Sequence, residues 1–305
     1  MTLHPLLHEA LAGVGDWDDY ERVLATLTES YRPPPVRMEA LSVPGPAGDV
    51  PLRLYHPERS PSPKPGLLWV HGGGFSGGSV DMPEADVVAR ELADRAGALV
   101  VTVDYRLAGP DTRFPAGLDD VQAAWSWFTD RADDYGVDRS RLQLGGCSAG
   151  GNLAVAAARR EVDAGRPGPA GLLLGYPALH FPTPAVEGLR VDELPEILRF
   201  TADHMLGVLE GYLGRIHDIP VEAMPGLGSV EGLPPTRLEL SGIDELRGSG
   251  ELFARQLRSV GVPVVTDIAD GLPHGHLNIP PVPALPEIDR SLARLAEALR
   301  SGPSA

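Results

Sequence analysis

The sequence predicts an α/β fold, a mostly parallel sheet with helices on both faces, and three observations carry that prediction. From residue 66 onward the short apolar runs "GLLWV", "ALVVTV", "RLQLG", "GLLLGYP", "TRLELSG" and "VPVVTDI" alternate with longer segments of helical pattern. Runs this short are strands rather than helices, and burial on both faces explains why they lack a clean polar–apolar alternation. Strand and helix in strict turn is the signature of consecutive parallel units. Glycine (36) and proline (31) are abundant without reaching the share that marks disorder, so they are read as tight turns.

Taken in order, "HPLLHEALAGV" and "DYERVLATLTESY" carry helical periodicity up to the breaker "RPPP". "MEALSVPG" and "VPLRLYHP", joined by the turn "PAGD", form an expected antiparallel hairpin that "PSPKP" closes. Helices are expected at about 82–96, 116–133, 149–164, 247–260 and 285–300. Residues 178–225 interrupt the alternation with a segment of mostly helical pattern. An insertion there overlies the carboxyl ends of the strands, where ligands bind in open α/β sheets. The expected organisation is one embellished domain: an N-terminal helical cap segment (1–40), a core (41–177 and 226–305), and a helical cap insertion (178–225).

Forty-two acidic against 26 basic residues leave a formal charge of −16, a field that repels phosphate backbones and anionic lipid. Nucleic acid and membrane are therefore not expected partners, and a neutral or cationic small molecule suits the chain better. One cysteine cannot form an internal disulfide. The start, "MTLHPLLHEALAGVGDWDDYE", lacks a basic n-region, and no apolar run approaches bilayer length. A cytoplasmic location is the expectation, and a homodimer is compatible with it.

Chemistry concentrates at the glycine-rich junction "LQLGGCSAGGNLAVAAA". Gly146, Cys147, Ser148, Ala149 and Gly150 form a G-x-S-x-G pattern between an expected strand and an expected helix. A turn directly from strand to helix strains the serine backbone, and glycine on either side removes the collisions that a Cβ would create. Ser148 then stands exposed at a helix N-terminus, where free amides favour developing negative charge. A serine hydroxyl needs a base, and the base needs an acid to hold its tautomer. Downstream, "LELSGIDELRGSG" offers Asp244, with a helix N-cap as its plain alternative role, and Glu245 as a second candidate acid. "DGLPHGHLN" offers His274 and His276; a metal site is not expected there, for want of a third ligand.

Upstream, "LLWVHGGGFSGGS" places His71, Gly72, Gly73 and Gly74 directly after a strand. The Gly73 and Gly74 amides, with that of Ala149, are the expected oxyanion hole, because side chains there would hold the backbone away from a substrate. A phosphate-binding loop is the rival reading, but the G-K-[ST] ending is absent and the chain is acidic.

Together, "HGGGF", "DYRLA" followed by "RFPAGLDDV", "GGCSAGGNLAVA", "GIDELRGSGELFARQLRSVGVPV" and "HGHLN" resemble the hormone-sensitive-lipase-like (family IV) esterases of the α/β-hydrolase fold. The likeness spans about residues 66–300. It implies an eight-stranded sheet, a helical cap built from the N-terminus and the insertion, and hydrolysis of short- to medium-chain carboxylic esters. By motif it implies Ser148 as nucleophile, Asp244 as acid and His274 as base, with His276 the lesser candidate, Gly73, Gly74 and Ala149 at the oxyanion hole, and His71 bracing its loop. The chain departs from the pattern at Cys147, where the family usually carries aspartate pointing away from substrate, so the thiol is expected to be buried filler. "DELRG" also lacks the usual proline and second aspartate.

The expectation is a serine carboxylesterase working through an acyl-enzyme, with a small ester as partner, no cofactor and no metal. An amidase or arylformamidase on the same triad is one alternative, and a non-catalytic ligand-binding protein on the same scaffold, as in plant hormone receptors, is another. Trp125, Trp127 and Phe128 are read as core, His180 and His204 as packing or surface, and Tyr176 and Pro177 as weak candidates for lining the substrate; the substrate-binding residues are otherwise unassigned.

Overall fold

Strand β3 (Lys64–Val70) is the spine of the computed structural model, which describes residues 2–302, so position 1 and positions 303–305 of the expected outer segments lie outside it. β3 pairs in parallel with β4 (Leu99–Val103) on one side and β5 (Val137–Cys147) on the other. From β5 the sheet continues in parallel through β6 (Leu172–Gly175), β7 (Thr236–Ile243) and β8 (Val264–Pro273). The expected hairpin, β1 (Arg37–Gly45) and β2 (Gly48–His56), is antiparallel and attaches to the far side of β4. The eight-stranded order is β1-β2-β4-β3-β5-β6-β7-β8. β1 begins three residues before the expected boundary at 40, because its pairing with β2 starts at Arg37↔His56.

Side chains of β3 leave alternately to the two faces, as strand geometry dictates. Leu67 and Trp69 enter the core shared with α3 (Pro83–Ala96) and α8 (Pro286–Ser301), through Val88, Leu92, Leu292 and Leu295. Leu68 and Val70 enter the opposite core, with Leu118, Trp125 and Phe128 of α4 (Ala116–Arg131) and Leu153 of α5 (Ser148–Asp163). Trp125 and Phe128 are thus core residues, as expected, while Trp127 is partly buried against Phe128 and Tyr135. Proline at the first helical position starts α3 and α8, where its missing N–H costs nothing, and left-handed Gly97 ends α3.

The N-terminal segment forms α1 (Pro5–Ala10) and α2 (Trp17–Leu27), whose Leu7, Tyr20 and Leu24 join the core beside α3 and α8. It meets the insertion where the Leu3 amide donates to Glu193 at 3.1 Å. The insertion is less helical than expected. Beyond short 3-10 turns it contributes one helix, α6 (Ala202–Leu213), and residues 178–195 run irregularly. Pro182, Pro184, Gly188 and Pro195 interrupt whatever periodicity the apolar residues suggest. α6 is anchored over the carboxyl edge of the sheet: the Phe114 amide donates to the Tyr212 carbonyl at 2.9 Å, and Tyr212 stacks on Phe75 with centroids 3.8 Å apart.

Candidate active site

Parallel strands deliver their next residues to a common edge. His71 follows β3, Ser148 follows β5, Tyr176 follows β6, Asp244 follows β7 and His274 follows β8. Chain segments as far apart as 126 residues meet there because the sheet aligns their ends.

Ser148 adopts φ 51°, in the left-handed region that non-glycine residues avoid, and its strain is held in place by the packing on either side. A Cβ at Gly146 would lie 2.4 Å from the Val70 carbonyl oxygen, and one at Gly150 would lie 2.2 Å from the same oxygen and 2.3 Å from that of His71. Only glycine lets the elbow seat this closely on the end of β3, the requirement read from the G-x-S-x-G spacing.

His274 Nε2 lies 2.9 Å from Ser148 Oγ, and His274 Nδ1 lies 2.8 Å from Asp244 Oδ2. A carboxylate at Nδ1 makes that nitrogen the donor, so Nε2 is left as the acceptor for the serine proton. Asp244 is fully buried, and its other oxygen accepts the Leu246 amide at 2.8 Å, holding the turn ahead of α7 (Arg247–Ser259), whose N-cap position is Leu246 and not Asp244. The structure thus brings Ser148, Asp244 and His274 together.

The two competing candidates lie elsewhere. Glu245 turns toward the insertion, where its carboxylate accepts the Phe200 amide, and the Phe200 ring covers His274 at 4.3 Å between centroids. His276 is buried between Ser241 Oγ (2.8 Å) and Ser291 Oγ (3.2 Å). Cys147 is the expected buried filler; burial pushes its thiol pKa well up, the Glu84 carboxylate adds to the rise, and the thiol stays protonated and unreactive.

The oxyanion loop packs onto the elbow: a Cβ at Gly72 would stand 3.1 Å from that of Ser148. Gly73 (φ 108°) and Gly74 (φ 60°) both need left-handed backbone, and among the described residues neither amide meets an acceptor. Ala149 is the second residue of α5, in the first turn, where amides have no intrahelical partner. His71 braces the loop as expected. Its Nδ1 donates to the Gly72 carbonyl at 2.7 Å, its ring stacks on Tyr105 at 4.4 Å, and burial lowers its pKa so that it stays neutral.

Tyr176 corrects an expectation: its side chain is fully buried and does not line the substrate space. Its hydroxyl donates to Glu84 Oε2 at 2.6 Å, and its ring meets those of His274 and His276 edge-on at 4.8 and 5.0 Å. His180 packs, as expected, between Ser249 and Gln256. His204, exposed on α6, touches Phe200. Sequence reasoning missed Phe75, Phe200, Val208 and Tyr212, which surround the site from the oxyanion loop and the insertion, and it missed Glu84. The helical spacing of His204, Val208 and Tyr212 was the signal for one face of α6.

A serine hydroxyl, an imidazole and a carboxylate thus stand in line beside a glycine-rich loop, on a sheet of hydrolase topology. A model of the alpha/beta hydrolase fold family matches residues 67–278, and the chain belongs to that family. Esterase LipI of Mycobacterium tuberculosis is 34% identical over 249 residues, covering 80% of this chain and 76% of its own. Ethyl acetate hydrolase of Pseudomonas putida is 31% identical over 266 residues, covering 82% and 78%. The hyperthermophilic esterase of the archaeon Pyrobaculum calidifontis superposes with a TM-score of 0.85 at 32% identity, over 99% of both chains.

Proposed function

We propose that the chain is a serine carboxylesterase in which Ser148 is the nucleophile, His274 the general base and acid, and Asp244 the residue that orients His274. The observation that carries this is the unbroken chain of contacts from Ser148 Oγ through both nitrogens of His274 to Asp244. As Oγ adds to an ester carbonyl, its proton passes to Nε2, and the imidazolium is stabilised by the buried Asp244 carboxylate. The carbonyl oxygen becomes an anion facing the amides of Gly73, Gly74 and Ala149. Collapse expels the alcohol with the proton from Nε2, leaving an acyl-enzyme; water repeats the sequence and frees the acid.

Short- to medium-chain esters are the proposed substrates, supported by α6 lying close over the oxyanion loop: the Val208 methyls are 3.9 Å from where a Cβ on Gly74 would be. The relatives that span most of the chain are named as ester hydrolases, which favours esters over amides. We propose a cytoplasmic location for a chain whose one cysteine gives it no internal disulfide, the usual mark of a secreted scaffold. No helix among the described residues is long and apolar enough to cross a membrane.

Replacing Ser148 with alanine is expected to lower kcat on an activated short-chain ester by roughly 10⁴-fold or more. Cys147→Ser should retain most of it, and a fluorophosphonate should label the wild type at Ser148. Turnover that survives Ser148→Ala and vanishes in Cys147→Ser would overturn the assignment.

A further inference from the structure

Beneath the site lies a second buried carboxylate that the triad does not use. Glu84, in the first turn of α3, is 1% exposed. Its Oε1 accepts the Gly72 amide at 2.6 Å, and its Oε2 accepts the Tyr176 hydroxyl at 2.6 Å and the Asn278 side-chain amide at 3.2 Å. Its backbone is pinned as well: the Trp69 indole donates to its carbonyl at 2.8 Å, and its amide donates to Asn278 Oδ1 at 3.2 Å. One side chain therefore joins three separate pieces of the site, namely the oxyanion loop, the turn after β6 and the loop that carries His274. Tyr176 extends the link, since its hydroxyl also accepts the Leu277 amide at 3.3 Å while its ring edge meets His274.

An acidic residue in the first turn of a helix ordinarily faces water and the helix dipole. Glu84 does neither. A carboxylate this deep is costly unless donors satisfy it, and three neutral donors do. Burial raises its pKa, while the hydrogen bonds from Tyr176 and Gly72 and the field of a protonated His274 act to lower it.

Position 147 supplies a second observation. There the buried Cys147 thiol and the buried Tyr176 hydroxyl act on each other's ionisation, and Glu84 acts on both. A Cβ on Gly175 would stand 2.5 Å from the Cys147 sulfur, so the space beside it is closed.

We propose that Glu84 is a positioning residue of the esterase reaction: through Gly72, Tyr176 and Asn278 it locks the oxyanion loop to the histidine loop, and its carboxylate is the acceptor for the Tyr176 hydroxyl that the thiol at position 147 does not supply. The inference rests on the Ser148–His274–Asp244 reading. Glutamine at 84 keeps shape and size but pairs badly: with its oxygen toward the Gly72 amide, its NH₂ confronts the NH₂ of Asn278.

The full-length wild type, Glu84→Gln, Cys147→Asp and the double variant are compared for kcat, KM, thermal midpoint and stoichiometric fluorophosphonate labelling of Ser148. Glu84→Gln should lower kcat about 10- to 100-fold with KM changed by less than about threefold, and with melting and final labelling stoichiometry kept. Cys147→Asp alone should also lower kcat, because two carboxylates then crowd one hydroxyl. Combined, the two substitutions should recover most of the kcat lost in Glu84→Gln. Undiminished kcat in Glu84→Gln, a loss that merely follows the unfolded or unlabelled fraction, or a double variant no better than Glu84→Gln each overturns the proposal. Should Glu84→Gln not fold, Tyr176→Phe cuts the same link and should lower kcat at constant KM; an unchanged kcat overturns it. A wild type that neither labels at Ser148 nor turns over esters refutes the triad reading itself, a result distinct from any of these.

Discussion

His274 and His276 are two residues apart, yet they sit in opposite chemical environments. His274 bridges a carboxylate and a hydroxyl. His276 is enclosed by two serines and the edge of Tyr176, and its pKa is lowered to about 3, by burial first and then by the positive charges of His274 and Arg294. A histidine depressed from its ordinary value of 6.5 contributes stability that is complete above pH 6.5 and is lost as pH falls toward 3, because the unfolded chain binds the proton first. Between pH 7 and pH 5 this residue alone should remove about 2 kcal/mol of unfolding free energy. His276→Gln, which can still bond both serines, should therefore lose less stability over that interval than the wild type, as read from urea unfolding at the two pH values. Equal losses would show that His276 titrates normally. Adjacent Asp244 and Glu245 divide in the same way, one to His274 and one to the Phe200 amide. Spacing along the chain left each of these pairs open, since neighbours of equal chemistry differ only in what packs against them.

The junction of β5 and α5 is the element on which the site depends, and its glycines serve close approach. Neither Gly146 nor Gly150 has positive φ; what they avoid is contact with the carbonyls ending β3. Gly150→Ala should cost about 1–3 kcal/mol or more of stability, and should depress activity further in whatever folds, since α5 must move away from the oxyanion loop. A thermal midpoint and kcat both equal to wild type would refute the argument. This junction was legible because its backbone demands are local. Helix α3 shows the opposite case: its span, expected at about 82–96, was legible from local pattern, but nothing in the sequence singled out Glu84. Where its carboxylate points is decided by burial against β3 and β6. The insertion was misread for a related reason, since much of its conformation is held by contacts from the core, such as Ser249 to the Leu179 amide.

Over the whole molecule, an excess of 16 negative charges accompanies a site in which the Asp244 carboxylate and the His274 imidazole are buried. Such a field acts on diffusing substrates more than on the chemical step. A cationic choline ester should have a higher kcat/KM than an anionic hemisuccinate ester of matched acyl length at low ionic strength. That ratio should shrink severalfold as salt rises to roughly 0.5 M, where screening is complete within a few ångströms. A ratio indifferent to salt would remove charge from the account of substrate preference.

From sequence alone came the strands, most helices, the G-x-S-x-G elbow and the glycine-rich loop, because each rests on the periodicity or backbone freedom of adjacent residues. The motifs of the resemblance already favoured Asp244 and His274, but the contacts that set them apart from Glu245 and His276, the burial of Tyr176 and the direction of Glu84 under the site belonged to the tertiary structure. Those choices depend on which distant segments the parallel sheet brings to its carboxyl edge, and on which side chains that packing removes from water.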